Sequence, residues 1–263
     1  MTTGAAYLPK PFELQKVTMN AFNTAKLSGQ APASPMSVPA AKAQTKAQTK
    51  AKASRRVVDA PTRMFHWLFA LCFAGAYITA DGESLRMLHV TLGYTLAGLL
   101  GFRLVFGLVG PRHARLSLMA RKLAGLPVWL ASFKAGSLLQ VNWRQGQNLL
   151  MALAVVALLV LVLPVTLSGY LNYKDFGGDL MEELHGAAGE LFLWVVLAHL
   201  ALIAGLSVLR NKNQALPMLI GRTEGAGPDL VKHNARWLAL LLLLSVLAYW
   251  VWAWQQSAQM LVS

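Results

Sequence analysis

Thiols, acidic side chains and phosphate-binding loops are what this chain has least of. A single cysteine, Cys72, stands in 263 residues. It permits no disulfide within the chain and offers no set of thiolates for zinc or an iron–sulfur cluster. Asp and Glu number 11 against 24 Lys and Arg, and charged residues make up only 13% of the sequence. That is too few to solvate the surface of a soluble domain of this size. No Gly-rich segment ends in Gly-Lys-Ser or Gly-Lys-Thr, and no Gly-x-Gly-x-x-Gly follows a strand pattern, so nucleotide-binding machinery is missing. Nor does any group of residues mark a catalytic nucleophile.

What the chain has in excess is apolar length. Hydrophobic residues make up 56% of it. Apolar runs cover Met64–Ala80, Met87–Gly110 (broken by Arg103), Asn148–Tyr173, His185–Leu209 (broken by Glu190) and Trp237–Ser263. At 1.5 Å per helical residue, all but the first exceed the hydrocarbon thickness of about 30 Å. The first is borderline, and Arg63 at its edge can snorkel to the headgroups. The expected fold class is therefore an all-α integral membrane protein, with a four-helix transmembrane bundle and a fifth, C-terminal transmembrane helix.

The net charge of +13 does not point to nucleic acid, because its placement follows membrane topology. Between the second and third spans Arg112, Arg115, Arg121, Lys122, Lys134 and Arg144 occur with no acid, and between the fourth and fifth Arg210, Lys212, Arg222, Lys232 and Arg236 outweigh Glu224 and Asp229. The remaining connections hold Asp81 and Glu83, then Asp175, Asp179, Glu182 and Glu183. Positive loops stay in the cytoplasm, so the N-terminus is expected inside and the C-terminus outside. Residues 1–56 carry nine Lys or Arg and one Glu, and repeat Ala-Gln-Thr-Lys at 43–46 and 47–50. Such a composition cannot bury a core. A disordered basic arm is expected there, either a tail without a specific job or one that touches anionic lipid headgroups, followed by a domain over 57–223 and a linker with the last helix over 224–263. The arm lacks the pattern of a cleaved signal peptide.

Four histidines, His66, His89, His185 and His199, sit inside these spans or at their mouths, where an ionisable group needs a functional reason. Residues 185 and 199 are 14 apart, which places them on one helix face roughly 21 Å apart along the axis. With antiparallel helices, His89 meets His185 near the outer side and His66 meets His199 towards the cytoplasm. Each pair joins two helices and offers two neutral nitrogens, a donor set that suits haem b gripped from both sides. Zinc would need more ligands at one depth, and no carboxylates converge for a di-iron centre. The competing reading makes each histidine a hydrogen-bonded interfacial residue, in a haem-free transporter or scaffold.

Several further residues join this pattern. Arg63 precedes His66, and Arg86 precedes His89, by one helical turn. Cations there suit haem propionates, and Arg103 can serve the inner haem or snorkel. Glu190 can relay a proton or bond a neighbouring helix, and Glu182 and Glu183 can accept protons beside His185 or cap a helix start. Gly93, Gly98, Gly101, Gly186 and Gly189 permit close approach of helices or of a flat cofactor. Trp250, Trp252 and Trp254 suggest an interfacial aromatic belt, and Ala114–Leu139 an interfacial helix.

At these positions the chain resembles the bacterial di-haem cytochrome b561 and nickel–iron hydrogenase b-type cytochrome family. Ala60-Pro61-Thr62-Arg63-Met64-Phe65-His66-Trp67 is similar to that family's entry to its first helix. Leu88-His89-Val90-Thr91-Leu92-Gly93-Tyr94 and Phe102–Arg112 are similar to its second, and Glu183-Leu184-His185 with Ala198-His199 to its fourth. The similarity runs over roughly 57–223. Gln145-Gly146-Gln147-Asn148 departs from the Gly-His-Asn-Pro element that often opens the family's third helix, and the basic arm and fifth span exceed its smallest members.

The resemblance implies a carrier with two haem b groups in the bacterial inner membrane, exchanging electrons between the quinone pool and a c-type cytochrome or a hydrogenase-like subunit. It implies an electron carrier rather than an enzyme. The alternative within the same chemistry is a superoxide- or small-oxidant:quinone oxidoreductase. Membrane lipid is an expected contact, self-association is open, and nucleic acid is not expected.

Overall fold

The computed structural model describes residues 53–134 and 141–260. Nearly all of the basic arm lies outside that range. Described from Ser54 onward, the elements are strand β1 (Ser54–Arg56), helices α1 (Ala60–Ile78), α2 (Arg86–Val109), α3 (Leu116–Leu123), α4 (Leu126–Lys134), α5 (Trp143–Tyr173), α6 (Gly178–Leu209) and α7 (Leu216–Ile220), strand β2 (Arg222–Glu224) and helix α8 (Arg236–Met260).

Four of the helical segments, Glu83–Val109, Trp143–Tyr173, Gly178–Leu209 and Arg236–Ser257, are long and apolar enough to cross a membrane. Helix α1, with 19 residues, reaches about 28 Å, just short of a hydrocarbon core. It nevertheless packs along α2 and α8 within the bundle. Many large apolar side chains face outwards, among them Leu71, Val105, Leu163, Leu191, Trp194 and Leu244. On a water-soluble protein this would be a liability; facing lipid it carries no cost. The fold is all-α and membrane-embedded.

Local chemistry sets the helix ends. Asp59 caps α1 by accepting the Thr62 amide at 2.9 Å, and Pro61 sits in the first turn, where its missing N–H costs nothing. Asn142 caps α5 through the Gln145 amide at 3.0 Å. Helix α5 runs through Pro164, which removes one backbone bond; Thr166 and Ser168 return hydroxyls to the Val162 and Pro164 carbonyls nearby.

Helix α5 packs most extensively on α6, and α2 on α1. The buried core joins Phe65, Leu68 and Cys72 of α1, Leu92, Leu96 and Leu99 of α2, Val162 of α5, Phe192 of α6 and Leu242 and Val246 of α8. Helix α8 is therefore part of the bundle rather than an appendage. The boundary expected at 223/224 cuts through β2, which pairs antiparallel with β1, Ser54 opposite Glu224 and Arg56 opposite Arg222. Residues 54–56 consequently belong to the folded unit and not to the arm. Backbone bonds complete this ribbon, which ties the entry of α1 to the connection before α8: the Val57 and Val58 amides donate to Gly221 O, and the Arg56 amide donates to Asp229 Oδ1.

The connection between α2 and α5 holds two short helices, α3 and α4, rather than one continuous interfacial helix. They break at Ala124-Gly125. The tryptophans of α8 also divide. Trp250 turns inwards and donates its indole N–H to Thr95 Oγ1 at 2.9 Å, whereas Trp252 and Trp254 stay exposed as a belt would require.

Candidate functional site

His89, in the first turn of α2, and His185, two turns into α6, come together from two different helices. Their ring centroids are 5.8 Å apart with the planes at 86°. Each ring is fixed by its Nδ1. His89 Nδ1 lies 2.8 Å from Ala76 O, and His185 Nδ1 lies 2.9 Å from Val165 O. A carbonyl only accepts, so both Nδ1 atoms carry the proton and donate it. The Nε2 lone pairs are left for a metal, the tautomer that a ligating histidine adopts.

Both carbonyls are bared by local structure. Ala76 lies in the last turn of α1, where helix carbonyls lose their amide partners, and Thr79 Oγ1 supplements it at 3.2 Å. Val165 is reached because position 169 is glycine. A Cβ there would meet His185 Cε1 at 2.8 Å and Nδ1 at 2.9 Å, so any side chain at 169 displaces the ring.

His66 of α1 and His199 of α6 lie within electrostatic reach of each other. Here the Nδ1 atoms of both rings are buried with no hydrogen-bond partner. Buried polar atoms of native proteins are nearly always satisfied, so this pair suits a group that the protein itself does not supply. Arg63 Nε, one turn before His66, is buried and unpartnered too, while its Nη1 donates to Leu219 O at 3.2 Å.

Between the two pairs stands Phe192, seven residues from each histidine of α6 and 2% exposed. Its ring lies 4.4 Å from that of Phe73 and 6.2 Å from that of Phe69, centroid to centroid. Two polar sites at two depths are thus divided by an aromatic plug.

The glycines decide between helix contact and a flat group. Nothing lies within 4 Å of a Cβ built at Gly93, Gly98, Gly101, Gly186 or Gly189. They do not mediate close helix packing. Gly93 and Gly189 follow His89 and His185 by four residues, on the same helix face, and so leave open space beside each ring. Among the described residues no group of three or more His, Cys, Asp or Glu stands together. The donor set is two nitrogens per site with room for a plate, which fits haem and not a zinc cage.

The three arginines differ. Arg63 stands beside His66, with an N–H to spare. Arg86 is exposed and lies over the Tyr173 ring, 5.9 Å from its centroid. Arg103 is 8% exposed, and its Nη1 donates to Ala114 O at 3.0 Å. It anchors the loop after α2 and lies within electrostatic reach of Asp59. Glu190, read as a helix-bonding or proton-relaying group, is exposed on α6.

Sequence reading missed the partner of Asp59. This residue, with a side chain 1% exposed, accepts from His113 Nε2 at 2.7 Å while it caps α1. The signal available was a lone acid directly before Ala-Pro at a span entry; nothing in the spacing of 54 residues pointed to His113.

A cavity of about 520 Å³ opens between α2 and α8, lined by Tyr94, Thr95, Gly98, Ser245 and Tyr249 above an apolar wall. It begins five residues, about 8 Å of rise, below His89.

The sequence profile of the family described as prokaryotic cytochrome b561 matches residues 57–221. Two relatives, each described as a probable Ni/Fe-hydrogenase 1 B-type cytochrome subunit, come from Escherichia coli strains K12 and O157:H7. Each is 28% identical over 108 residues, covering 34% of this chain and 43% of the relative. The match thus spans less than half the length of these relatives. No solved structure matches the chain.

Proposed function

Because the chain belongs to the prokaryotic cytochrome b561 family, whose members are membrane b-type cytochromes of electron transfer, we propose that it carries electrons between the quinone pool and a redox partner through two haem b groups. His89 with His185 would hold one, and His66 with His199 the other. Haem, when bound, supplies a one-electron iron couple. The observation that carries the reading is the outer pair: two imidazoles from different helices, 5.8 Å apart, each with Nδ1 committed to a carbonyl.

The protein's own contribution is positional and electrostatic. The Ala76 and Val165 carbonyls fix the tautomer and make the outer nitrogens stronger donors. The buried apolar core around Phe65, Cys72 and Phe192 would limit water near the histidines, a lever on redox potential. Arg63 and Arg86, each one helical turn before a histidine, would supply cations to propionate carboxylates.

The cavity between α2 and α8 supports the quinone assignment. Its volume suits a small ligand. Among the described residues the Tyr94 and Tyr249 hydroxyls have no hydrogen-bond partner, although an unpaired hydroxyl facing hydrocarbon is costly. Two phenols can donate to the carbonyls of a quinone, and their oxygens can accept from a quinol. The similarity to hydrogenase cytochrome subunits supports a hydrogenase-like partner; a c-type cytochrome is the alternative. The basic loops support an inner-membrane placement with the N-terminus in the cytoplasm.

One preparation tests this reading. Pyridine haemochrome assay of the purified protein should give about two b haems per chain, and a short-chain quinol should reduce them. Tyr94→Phe with Tyr249→Phe should slow that reduction about 10-fold, the equivalent of about 0.7 kcal/mol for each of the two hydrogen bonds removed, without loss of haem. Protein purified without haem sinks the proposal.

A further inference from the structure

We propose that the basic face of the molecule holds a binding site for one anionic phospholipid, seated in the cleft between α3 and the first turns of α5. The cleft is a cavity of about 820 Å³. Arg121 and Lys122, in the last turn of α3, and Arg144, in the first turn of α5, line it. No acid occurs in the sequence between Glu83 and Asp175. The pair of His113 with Asp59 involves none of the three cations.

Three cations on a loop usually mean a solvated surface. Here their position relative to apolar lining argues otherwise. The same cavity continues down α5 along Leu149, Met151 and Val155, in a helix long and apolar enough to span the membrane. The site therefore has positive charge at headgroup level and hydrocarbon below it. A free phosphate would answer the cations and leave the apolar wall uncovered. A quinone would cover the wall and leave the charges unanswered. A phosphodiester headgroup carrying an acyl chain answers both, which is the chemistry of basic pockets between transmembrane helices.

The upper rim is also fixed in place. Arg210, at the end of α6, donates to Gln147 Oε1 and Asn148 Oδ1, both at 3.0 Å, locking the first turns of α5 to α6. Trp129 of α4 lies directly over Gly146, where any side chain would collide with the indole. The headgroup position is thus held by α3, α4 and α6 together before a lipid arrives. The proposal is independent of the haem and quinone assignments.

The test is native mass spectrometry of the purified, haem-loaded protein released from detergent. It is titrated separately with dioleoylphosphatidylglycerol, dioleoylphosphatidylcholine and inorganic phosphate. The expected result is one tightly held phosphatidylglycerol, and phosphatidylcholine bound about 100-fold more weakly, as three basic contacts near an anionic surface imply. Millimolar phosphate should not displace the lipid. Arg121→Gln with Lys122→Gln and Arg144→Gln should abolish the preference while leaving the haem spectrum intact. Equal binding of both lipids, displacement by phosphate, or an unchanged preference in the triple variant would overturn the proposal. If the triple variant does not fold, the lipid comparison on the native chain decides alone.

Discussion

At the scale of single residues the two histidine pairs are chemically unequal. His89 and His185 are held by carbonyls at 2.8 and 2.9 Å before any ligand binds; His66 and His199 leave Nδ1 unanswered. Preorganised ligands lose less entropy on binding, so the outer site should retain haem more tightly. Replacing one member of a pair should cost that pair's haem and leave the other. His89→Ala and His185→Ala should therefore give the same redox difference spectrum, and His66→Ala and His199→Ala a second, complementary one. Redox titration of the four variants checks this, and four unrelated spectra would break the pairing. The approach of His89 to His185 was legible in the sequence, because antiparallel helices with known ends fix depth. The Nδ1 partners were not: which carbonyl a ring reaches depends on a helix end and on a missing Cβ, and neither has a spacing signature.

At the scale of elements, hydropathy located the spans well and their faces poorly. The reason is physical. In lipid an outward-facing leucine and an inward-facing one are equally comfortable, so no apolar stripe marks the core. Trp250 illustrates it: read as belt, it turns inwards to Thr95. Helix α6 begins seven residues before the apolar run, at Gly178, because Asp179, Glu182 and Glu183 suit the positive end of the helix dipole while contributing nothing to hydropathy. The β1–β2 ribbon is too short to show any alternation. Between elements, the contact of α5 with α6 at Gly169 is the most exacting. A methyl group there would strike the His185 ring, and α5 cannot recede because it packs on α6 along its length. Gly169→Ala should thus lower haem content towards one per chain and leave the inner pair's spectrum unchanged, as read by haemochrome assay on protein of native helicity. Retention of both haems would show that the ring does not need the Val165 carbonyl.

At the scale of the whole molecule, function depends on which side each pair faces, and charge placement carries that inference. Acids cluster in the α1–α2 and α5–α6 connections, and cations in the α2–α5 connection and around β2. The α1 entry, β2, α3 and α4 therefore share one side; independently of charge, the β1–β2 ribbon requires this of the α1 entry and β2, and the His113–Asp59 pair ties the loop after α2 to the same entry. Two unrelated constraints, hydrogen bonding and the positive-inside tendency, agree on alternation. The tendency alone assigns the shared side to the cytoplasm. The chain is suited to a direct test, because its one cysteine, Cys72, is 1% exposed and cannot compete for a reagent. In intact cells Asp179→Cys should react with a membrane-impermeant maleimide, and Lys212→Cys should react only after permeabilisation. This outcome puts His89 and His185 at the outer face and His66 and His199 at the inner, so that Phe192 lies on the line joining the two proposed haem sites across the bilayer. The opposite labelling would invert the direction of that line and move the proposed quinone cavity to the cytoplasmic half, while leaving both histidine pairs as they are.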